Sequence, residues 1–397
     1  MSLPKVVESF GFIDLHAHLR EPGFEESETI ATGSRAALRG GFTTICAMPN
    51  TEPAIDSPGL VAELIARAAA SDGARVLPIA AITRGRRGKE LADLVELAAA
   101  GAVAFSDDGA PVEDARLFRH ALEYASARDL LVIEHAQDAA LSTNGVMHEG
   151  AVSARLGLSG IPAAAEEAAV ARDIALARLV GARLHLTHLS TAGSVELVRR
   201  AKADGARITC DVTPHHLAMT DEWVAGSRAF AWNVPGSDAR ATPYDSSTKV
   251  NPPLRSLADV RALWRGLADG TVDAIATDHA PHASVRKDVE YDGAAFGISG
   301  LETAVPLVLG GVRAGWASLD VVLRALTSGP AGILGIDVPD DRIVMDTEAE
   351  WTVSARDLVS KGKNTPLLGR IVVGRVTDVE MRRDREVAKD AQTLASR

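Results

Sequence analysis

Cysteine is almost absent from this chain of 397 residues, since it occurs only at Cys46 and Cys210, each inside an apolar run. Two isolated thiols argue against a disulfide framework and predict buried, reduced cysteines. The sequence also lacks any run of 18 apolar residues, and its first residues lack the basic, apolar and small-residue zones of a signal peptide. We therefore expect a cytoplasmic protein with no membrane partner.

Basic residues are in deficit, because 42 Lys and Arg against 53 Asp and Glu give a net charge of −11. A nucleic-acid partner is therefore not expected. The basic stretch 84–89 fits a solvated loop better than an anion site. The phosphate-loop and dinucleotide-binding fingerprints are missing too, which argues against an open sheet built to bind nucleotides.

Short apolar runs alternate with Ala-, Leu- and Arg-rich stretches of helical spacing. The eight runs are 12–19, 43–48, 76–82, 102–105, 130–134, 183–189, 208–212 and 272–277, and the helical stretches between them include 27–39, 58–70, 89–99, 115–127, 164–180 and 194–203. Eight such alternations predict an α/β fold, a closed parallel (β/α)8 barrel (TIM barrel) over residues 12–330. An open doubly wound sheet is the alternative.

The sequence changes character after about Pro330. Residues 350–353 and 370–376 alternate in polarity, as a few antiparallel strands do, and a polar tail that we expect to fray begins at Met381. We therefore interpret residues 331–397 as a C-terminal accessory β segment with its tail.

Polar residues collect at the predicted carboxyl ends of the barrel strands, where the active site of such a barrel lies. In chain order the strand-end residues, all polar except Pro49, are His16, His18, Arg20, Pro49, Asn50, Asp107, Asp108, His135, His188, His215, His216, Asp278, His279 and His282. His16 and His18 are two residues apart on a strand, so both imidazoles point to one side and can bind one metal ion. Arg20 continues the alternation at a place suited to clamp a substrate anion.

Imidazole and carboxylate ligands without cysteine are typical of zinc. The candidate ligands are His16, His18, Asp108, His135, His188 and Asp278. Six ligands exceed what one tetrahedral ion takes and fit two ions, with Asp108 as the candidate bridge. Two plainer interpretations stay open, because Asp107-Asp108-Gly109 is a good turn sequence and a strand-end histidine is often a hydrogen-bonded core residue. The metal interpretation predicts hydrolysis, or its reverse, with Asp278 carrying the proton.

Nine short sequence motifs follow one another along the chain in a characteristic order. They are 16–23 (HAHLREPG), 48–51 (MPNT), 105–109 (FSDDG), 134–135 (EH), 188–191 (HLST), 213–217 (TPHHL), 251–255 (NPPLR), 278–282 (DHAPH) and 296–303 (FGISGLET). Together they resemble the dihydroorotases of the amidohydrolase superfamily, and the likeness resumes at 364–369 (NTPLLG).

The resemblance implies the reversible, zinc-dependent cyclisation of N-carbamoyl-L-aspartate to L-dihydroorotate in pyrimidine biosynthesis. It implies that His16 and His18 hold one zinc and His135 and His188 the other. Asp108 would bridge them, as in the subgroup that has aspartate instead of a carboxylated lysine, and Asp278 would be both ligand and proton shuttle. Arg20, Asn50 and His282 would bind the substrate carboxylate, Asn251 the ring or carbamoyl edge, and the Gly297 loop the pyrimidine face. Whether one or two zinc ions bind stays open.

Three departures from the family pattern accompany the likeness. Residues 1–11 look like a remnant of an N-terminal β lobe, residues 335–346 look shortened, and residues 229–247 look like an insertion. Every expected ligand is nevertheless in place.

Two alternative functions and two quaternary assemblies stay open. A dihydropyrimidinase, hydantoinase or allantoinase acts on a neutral ring, which gives Arg20 and Asn50 no carboxylate to bind. An inactive scaffold for aspartate transcarbamoylase would be expected to have lost ligands. The resemblance alone suggests a homodimer or a complex with aspartate transcarbamoylase.

Overall fold

The structure, a computed structural model, describes residues 3–233 and 241–382. The middle of the expected insertion at 229–247 and nearly all of the polar tail expected from Met381 lie outside these ranges. Thirteen strands are described: β1 (Val6–Phe10), β2 (Phe12–Ala17), β3 (Phe42–Ala47), β4 (Arg75–Ala80), β5 (Ala104–Phe105), β6 (Leu131–Glu134), β7 (Met147–His148), β8 (Gly160–Ile161), β9 (Arg183–Leu186), β10 (Ile208–Val212), β11 (Ala274–Ile275), β12 (Arg342–Thr352) and β13 (Ile371–Glu380).

Thirteen α-helices accompany the strands in the described ranges. They are α1 (Ile30–Arg39), α2 (Pro58–Ala69), α3 (Leu94–Ala99), α4 (Ala115–Ser126), α5 (Ala139–Ser142), α6 (Ala151–Leu156), α7 (Ala163–Val180), α8 (Ala192–Ala203), α9 (Pro214–Ala218), α10 (Leu257–Asp269), α11 (Ala304–Arg313), α12 (Leu319–Leu326) and α13 (Ser328–Leu334). Two of them begin at a capping box that the sequence supplies, formed by Thr29 before α1 and by Ser256 before α10. None of the helices in the described part of the chain has the length and apolarity that a membrane crossing requires.

Eight parallel strands form the barrel, in the order β11-β10-β9-β6-β5-β4-β3-β2. The first and last strands meet through a parallel bridge between Ala17 and His279, where the His18 amide donates to the His279 carbonyl oxygen at 2.8 Å. The Asp14 carboxylate strengthens this seam, since it accepts from the amide and the hydroxyl of Thr277. The predicted (β/α)8 fold is confirmed, and every predicted strand overlaps an observed one.

Apolar side chains fill the barrel and also the layer between the barrel and its helices. Ile13, Leu15, Ile79 and Ile133 lie inside the barrel. Ile333 of α13 packs against them at the amino-terminal end of the barrel. Cys46 belongs to this interior cluster, and both cysteines are buried and free, as predicted. Apolar side chains therefore close the interior of the barrel at its amino-terminal end, and the cavity described below opens at the carboxyl end of the strands.

The segments at either end of the described chain form a separate three-stranded antiparallel sheet, in the order β1-β12-β13. This sheet is tied to the barrel by Arg75 of β4, which donates to the buried Asp341 through both terminal nitrogens. Between β12 and β13 the chain returns to the barrel mouth, and we call residues 353–370 the return segment. A second small parallel pair, β7 with β8, was not predicted.

Candidate active site

A cavity of about 210 Å³ opens at the carboxyl end of the barrel. It is lined by His18, Arg20, Asn50, Asp108, Gly109, His135, His188, Asn251, Asp278, Ala280, His282, Phe296 and Gly297. Ten of the eleven residues that the sequence proposed as site residues line it, and the other one, His16, lies immediately beneath. The structure therefore brings the whole predicted set together.

Five of the six candidate ligands form two overlapping groups of three that share His16. In the first group, His18 Nε2 lies 3.1 Å from Asp278 Oδ1 and 3.3 Å from His16 Nε2. In the second, Asp108 Oδ1 lies 3.4 Å from His16 Nε2 and 3.6 Å from His188 Nε2. His135 Nδ1 also comes within 3.6 Å of Asp108 Oδ1. The donor atoms of each group of three lie within 4.8 Å of one another, as ligands of one metal ion do.

Asp108 Oδ1 is the focus of this arrangement. It is buried and has no hydrogen-bond partner, although three imidazoles face it. A carboxylate oxygen in that position is costly unless a cation or a proton donor satisfies it. The residues present therefore fit a metal centre of nitrogen and oxygen ligands, with Asp108 at its middle.

The charges within the cluster lead to the same conclusion. Burial alone would favour the neutral acids, but the surrounding imidazoles hold the pKa of Asp278 and of Asp108 below the ordinary value. Burial likewise opposes the imidazolium of His16, yet the nearby carboxylates of Asp108 and Asp278 raise its pKa to about 9. The two carboxylates thus demand positive charge, which a divalent cation supplies while each imidazole remains a neutral ligand.

Three side chains that the sequence did not single out as supports hold the candidate ligand histidines in place, two through the imidazole and one through the backbone and Thr187. Thr187 Oγ1 is 2.9 Å from His16 Nδ1, and Gln137 Oε1 is 2.7 Å from His135 Nε2. Asp211 of β10 accepts from the Thr187 hydroxyl and from the His188 amide. Such partners fix the tautomer and direction of ligand histidines. The sequence signal that could have identified two of these supports is proximity, since Thr187 and Gln137 are one and two residues from a candidate ligand.

Arg20 lies on one side of the cavity. Its Nε donates to the Pro281 carbonyl oxygen at 3.2 Å, and its Nη2 lies 3.4 Å from His282 Nε2. Burial lowers the pKa of Arg20 to about 10, so the guanidinium is still charged at neutral pH. Burial and this neighbouring charge lower the pKa of His282 to about 3, so its imidazole is neutral. The cavity therefore has one fixed positive charge beside the metal-ligand cluster.

Three expected substrate contacts already have protein partners. The His282 Nε2–H donates to the Phe296 carbonyl oxygen at 2.7 Å. Asn50 Oδ1 accepts from His18 Nδ1 at 2.8 Å, while its amide nitrogen makes only a 3.5 Å contact with Asp108. Asn251 donates to Gln137 at 2.7 Å, and its buried Oδ1 has no partner. Asn50 thus retains a donor for the cavity, and Asn251 retains an acceptor.

Backbone strain is concentrated at this site. Arg20, His188 and Asp278 adopt positive φ angles of 61°, 42° and 45°, which side chains other than glycine rarely adopt. Three site residues in this conformation indicate that the surrounding structure imposes the directions of their side chains.

Other polar strand-end residues have structural roles. Asp107 accepts from the Ile82 and Thr83 amides, His216 lies 2.9 Å from the Pro252 carbonyl oxygen, and His279 lies 3.3 Å from Glu28. His215 is buried outside the cavity lining. Pro49 is buried beside Asn50 and is also absent from the lining.

The solvated-loop interpretation of residues 84–89 needs a correction. It holds for the exposed Arg84 but is wrong for Arg86, whose guanidinium donates to the carbonyl oxygens of Asp107 and Asp108. The reason is position, because the loop follows β4 and faces the end of β5.

Comparison with known proteins agrees with this site. The "Dihydro-orotase-like" family model matches residues 5–194. A dihydroorotase of Anaeromyxobacter sp. (strain K) is 53% identical over 374 residues, covering 92% of this chain and 83% of the relative. A dihydroorotase of Pelotomaculum thermopropionicum is 51% identical over 372 residues with the same coverage.

Solved structures support the fold. An L-hydantoinase (dihydropyrimidinase) from Arthrobacter aurescens superposes with a TM-score of 0.80 at 22% identity, covering 95% of this chain and 84% of that one. A dihydropyrimidinase from Brevibacillus agri NCHU1002 gives 0.75 at 21% identity, with the same coverage. These identities are too low to carry function, but the sequence relatives are close and nearly full-length. The chain therefore belongs to the dihydroorotase family of metal-dependent cyclic amidohydrolases.

Proposed function

We propose that this protein is a zinc-dependent dihydroorotase that interconverts N-carbamoyl-L-aspartate and L-dihydroorotate in pyrimidine biosynthesis. The observation that carries the proposal is the position of Arg20, whose half-buried charge lies in the same cavity as the candidate metal ligands. A substrate that uses both features has a carboxylate next to a cyclic amide. L-Dihydroorotate has this combination.

His16, His18 and Asp278 would hold one zinc ion, and His135 and His188 a second, with Asp108 between them. The orphaned Asp108 oxygen and the lack of cysteine among the residues that line the cavity support this assignment. Zinc held there would lower the pKa of a bound water and polarise a carbonyl group. The proposal covers a site with one zinc ion and a site with two.

Asp278 would move the proton. Its pKa lies below the ordinary value because, against the effect of burial, the imidazoles of His18 and His16 stabilise the carboxylate. The ionised group can accept a proton from the attacking water and deliver it to the ring nitrogen that leaves on ring opening. In the direction of cyclisation the same carboxylate would take the proton from that nitrogen.

The remaining cavity residues would orient the substrate. Arg20 would pair with its carboxylate, assisted by the amide of Asn50 and by His282 once its Nε2–H leaves Phe296. The unpartnered Asn251 Oδ1 suits a ring or carbamoyl N–H, and the Gly297 loop would face the flat ring. A cytoplasmic location, a homodimer and a complex with aspartate transcarbamoylase belong to the proposal through family membership alone.

The test is an assay of L-dihydroorotate ring opening, followed by ultraviolet absorbance, on protein whose zinc has been counted. We expect turnover that disappears on chelation and returns with zinc. 5,6-Dihydrouracil and hydantoin, neutral rings of similar size, serve as controls and should not be turned over. Faster turnover of a neutral ring would favour a hydantoinase-type enzyme, and inactivity of the zinc-loaded protein would favour a scaffold.

A further inference from the structure

The side of the cavity next to Arg20 is built from two stretches of backbone, residues 280–282 and 296–297, which we call the carboxylate wall. The stretches touch closely: a Cβ on Gly297, whose φ is 142°, would lie 2.6 Å from the Ala280 carbonyl oxygen. The Arg20 Nε–H donates to Pro281, in the middle of the first stretch. The direction of the guanidinium therefore depends on where this wall stands.

Asn364 of the return segment holds both stretches of the wall. Its amide nitrogen donates to the carbonyl oxygens of Gly297 at 2.9 Å and Ala280 at 3.0 Å. Its Oδ1 accepts from the His282 amide at 2.8 Å and from the Ser299 hydroxyl at 3.0 Å. All the usual hydrogen-bonding capacity of the side chain is used, in an orientation that its neighbours fix.

The chemistry of this contact requires an amide. Two carbonyl oxygens face the same point and repel each other unless a donor stands between them. Asn364 gives one hydrogen to each carbonyl and accepts from the adjacent His282 N–H. An aspartate there would place a third oxygen against the two carbonyls, with no hydrogen to give.

The return segment is firmly anchored where it carries Asn364. Glu302 accepts from the amides of Val359 and Ser360, and Glu28 accepts from the Ser360 hydroxyl and the Lys361 amide. Gly362 allows the close approach, because a Cβ at that position would lie 2.7 Å from the His282 amide nitrogen. The segment therefore acts as a fixed support for the wall.

We propose that Asn364 is a positioning residue for the substrate carboxylate, setting the carboxylate wall and through it Arg20 and His282. The inference rests on the proposed function, because it takes the wall to be the place where the carboxylate of L-dihydroorotate binds. It gives the return segment, which lies outside the barrel strands, an indirect part in substrate selection.

The first test is Asn364→Asp, which keeps the size of the side chain but removes both donated hydrogen bonds. We expect the KM for L-dihydroorotate to rise about tenfold or more while kcat stays within about threefold, since ground-state positioning is lost and the metal-ligand cluster is untouched. Zinc content should equal that of the wild type. Thr365→Val, a buried change at the next position, is the matched control and should leave KM unchanged.

Lys287 provides a second variant that does not alter Asn364. Its Nζ donates to the same Gly297 carbonyl oxygen at 3.1 Å and to the Ala295 carbonyl oxygen at 2.7 Å. We expect Lys287→Met to raise KM in the same direction by about threefold, because one of the two supports remains.

A wild-type KM in Asn364→Asp, or a fall in kcat and zinc content at unchanged KM, would overturn the proposal in favour of a purely structural role. If Asn364→Asp does not fold, the comparison is made with Asn364→Ser and Lys287→Met, and an unchanged KM in both overturns it equally. Inactivity of the wild type would contradict the proposed function instead. The role of Asn364 is then judged by orotate affinity, and equal binding by wild type and variant rejects it.

Discussion

At the scale of the residue, we propose two tasks for Asp278, which would complete the first ligand group and carry the proton. Its Oδ1 lies 3.1 Å from His18 Nε2 and 3.6 Å from His16 Nε2. We predict that Asp278→Asn lowers kcat by about 10²-fold or more, the usual contribution of a general acid–base group, without unfolding the protein. Stopped assays measure kcat, zinc counting measures the metal content, and circular dichroism shows whether the variant is folded. Activity within threefold of wild type would remove Asp278 from the proton path.

Arg20 provides a second prediction at this scale. Arg20→Met keeps much of the length of the side chain and removes the only charge-assisted contact that we assign to the substrate carboxylate. We predict a rise in KM for L-dihydroorotate of about tenfold to a hundredfold, since hydrogen bonds to charged groups contribute about 1.5–3 kcal/mol. Arg84→Met, an exposed arginine, is the control and should match the wild type in steady-state kinetics. Equal KM values for both variants would argue for a neutral-ring substrate.

At the scale of the element, the three-stranded sheet β1-β12-β13 is joined to the barrel through the Arg75–Asp341 pair. The Asp341 side chain is fully buried, and its oxygens accept from Arg75 and from the Arg382 amide. We predict that Asp341→Ala lowers the free energy of unfolding by about 3–5 kcal/mol, the usual cost of leaving one member of a buried pair alone. The kcat at 25 °C should be unchanged, as the pair lies at the opposite end of β4 from the cavity. Urea unfolding checks the first part, and a stability loss below 1 kcal/mol would contradict it.

The secondary-structure elements also show how much of this structure could be predicted from the sequence alone. The barrel strands could be predicted because each is a short apolar run, and His16 and His18 because two-residue spacing is a local property. Gln137, Asp211 and Asn364 could not be assigned their partners, since those contacts join residues far apart in sequence or depend on side-chain direction. The strands β7 and β8 were missed because neither lies in an apolar run of the kind that marked the equally short β5 and β11. Arg86 was misjudged because composition does not show which way a loop faces.

At the scale of the whole molecule, burial of Lys287 predicts a pH dependence of stability. Burial, helped by the nearby Lys249, lowers the pKa of Lys287 to about 7 from the ordinary 10.5. Between these values the unfolded chain holds a proton that the folded chain lacks, so the free energy of unfolding contributed by this group rises with pH. We predict that the wild-type slope from pH 7 to 9 exceeds that of Lys287→Met by up to about 1.4 kcal/mol per pH unit.

Denaturant unfolding of both proteins at pH 7, 8 and 9, at one fixed zinc concentration, measures this difference. Contributions from the metal site are common to both proteins and cancel. Parallel slopes would mean that Lys287 stays protonated in the folded state at neutral pH.

The closure of the barrel has a consequence for biosynthesis. His18 and Asp278 are separated by 260 residues, and the seam that brings them together joins the first barrel strand to the last. During translation the early histidines leave the ribosome long before their carboxylate partner has been made. A complete metal centre can therefore assemble only after the eighth strand emerges, so metal loading belongs to the last stage of maturation. Contacts of such long range also predict slow folding, during which the unfinished barrel depends on protection from aggregation.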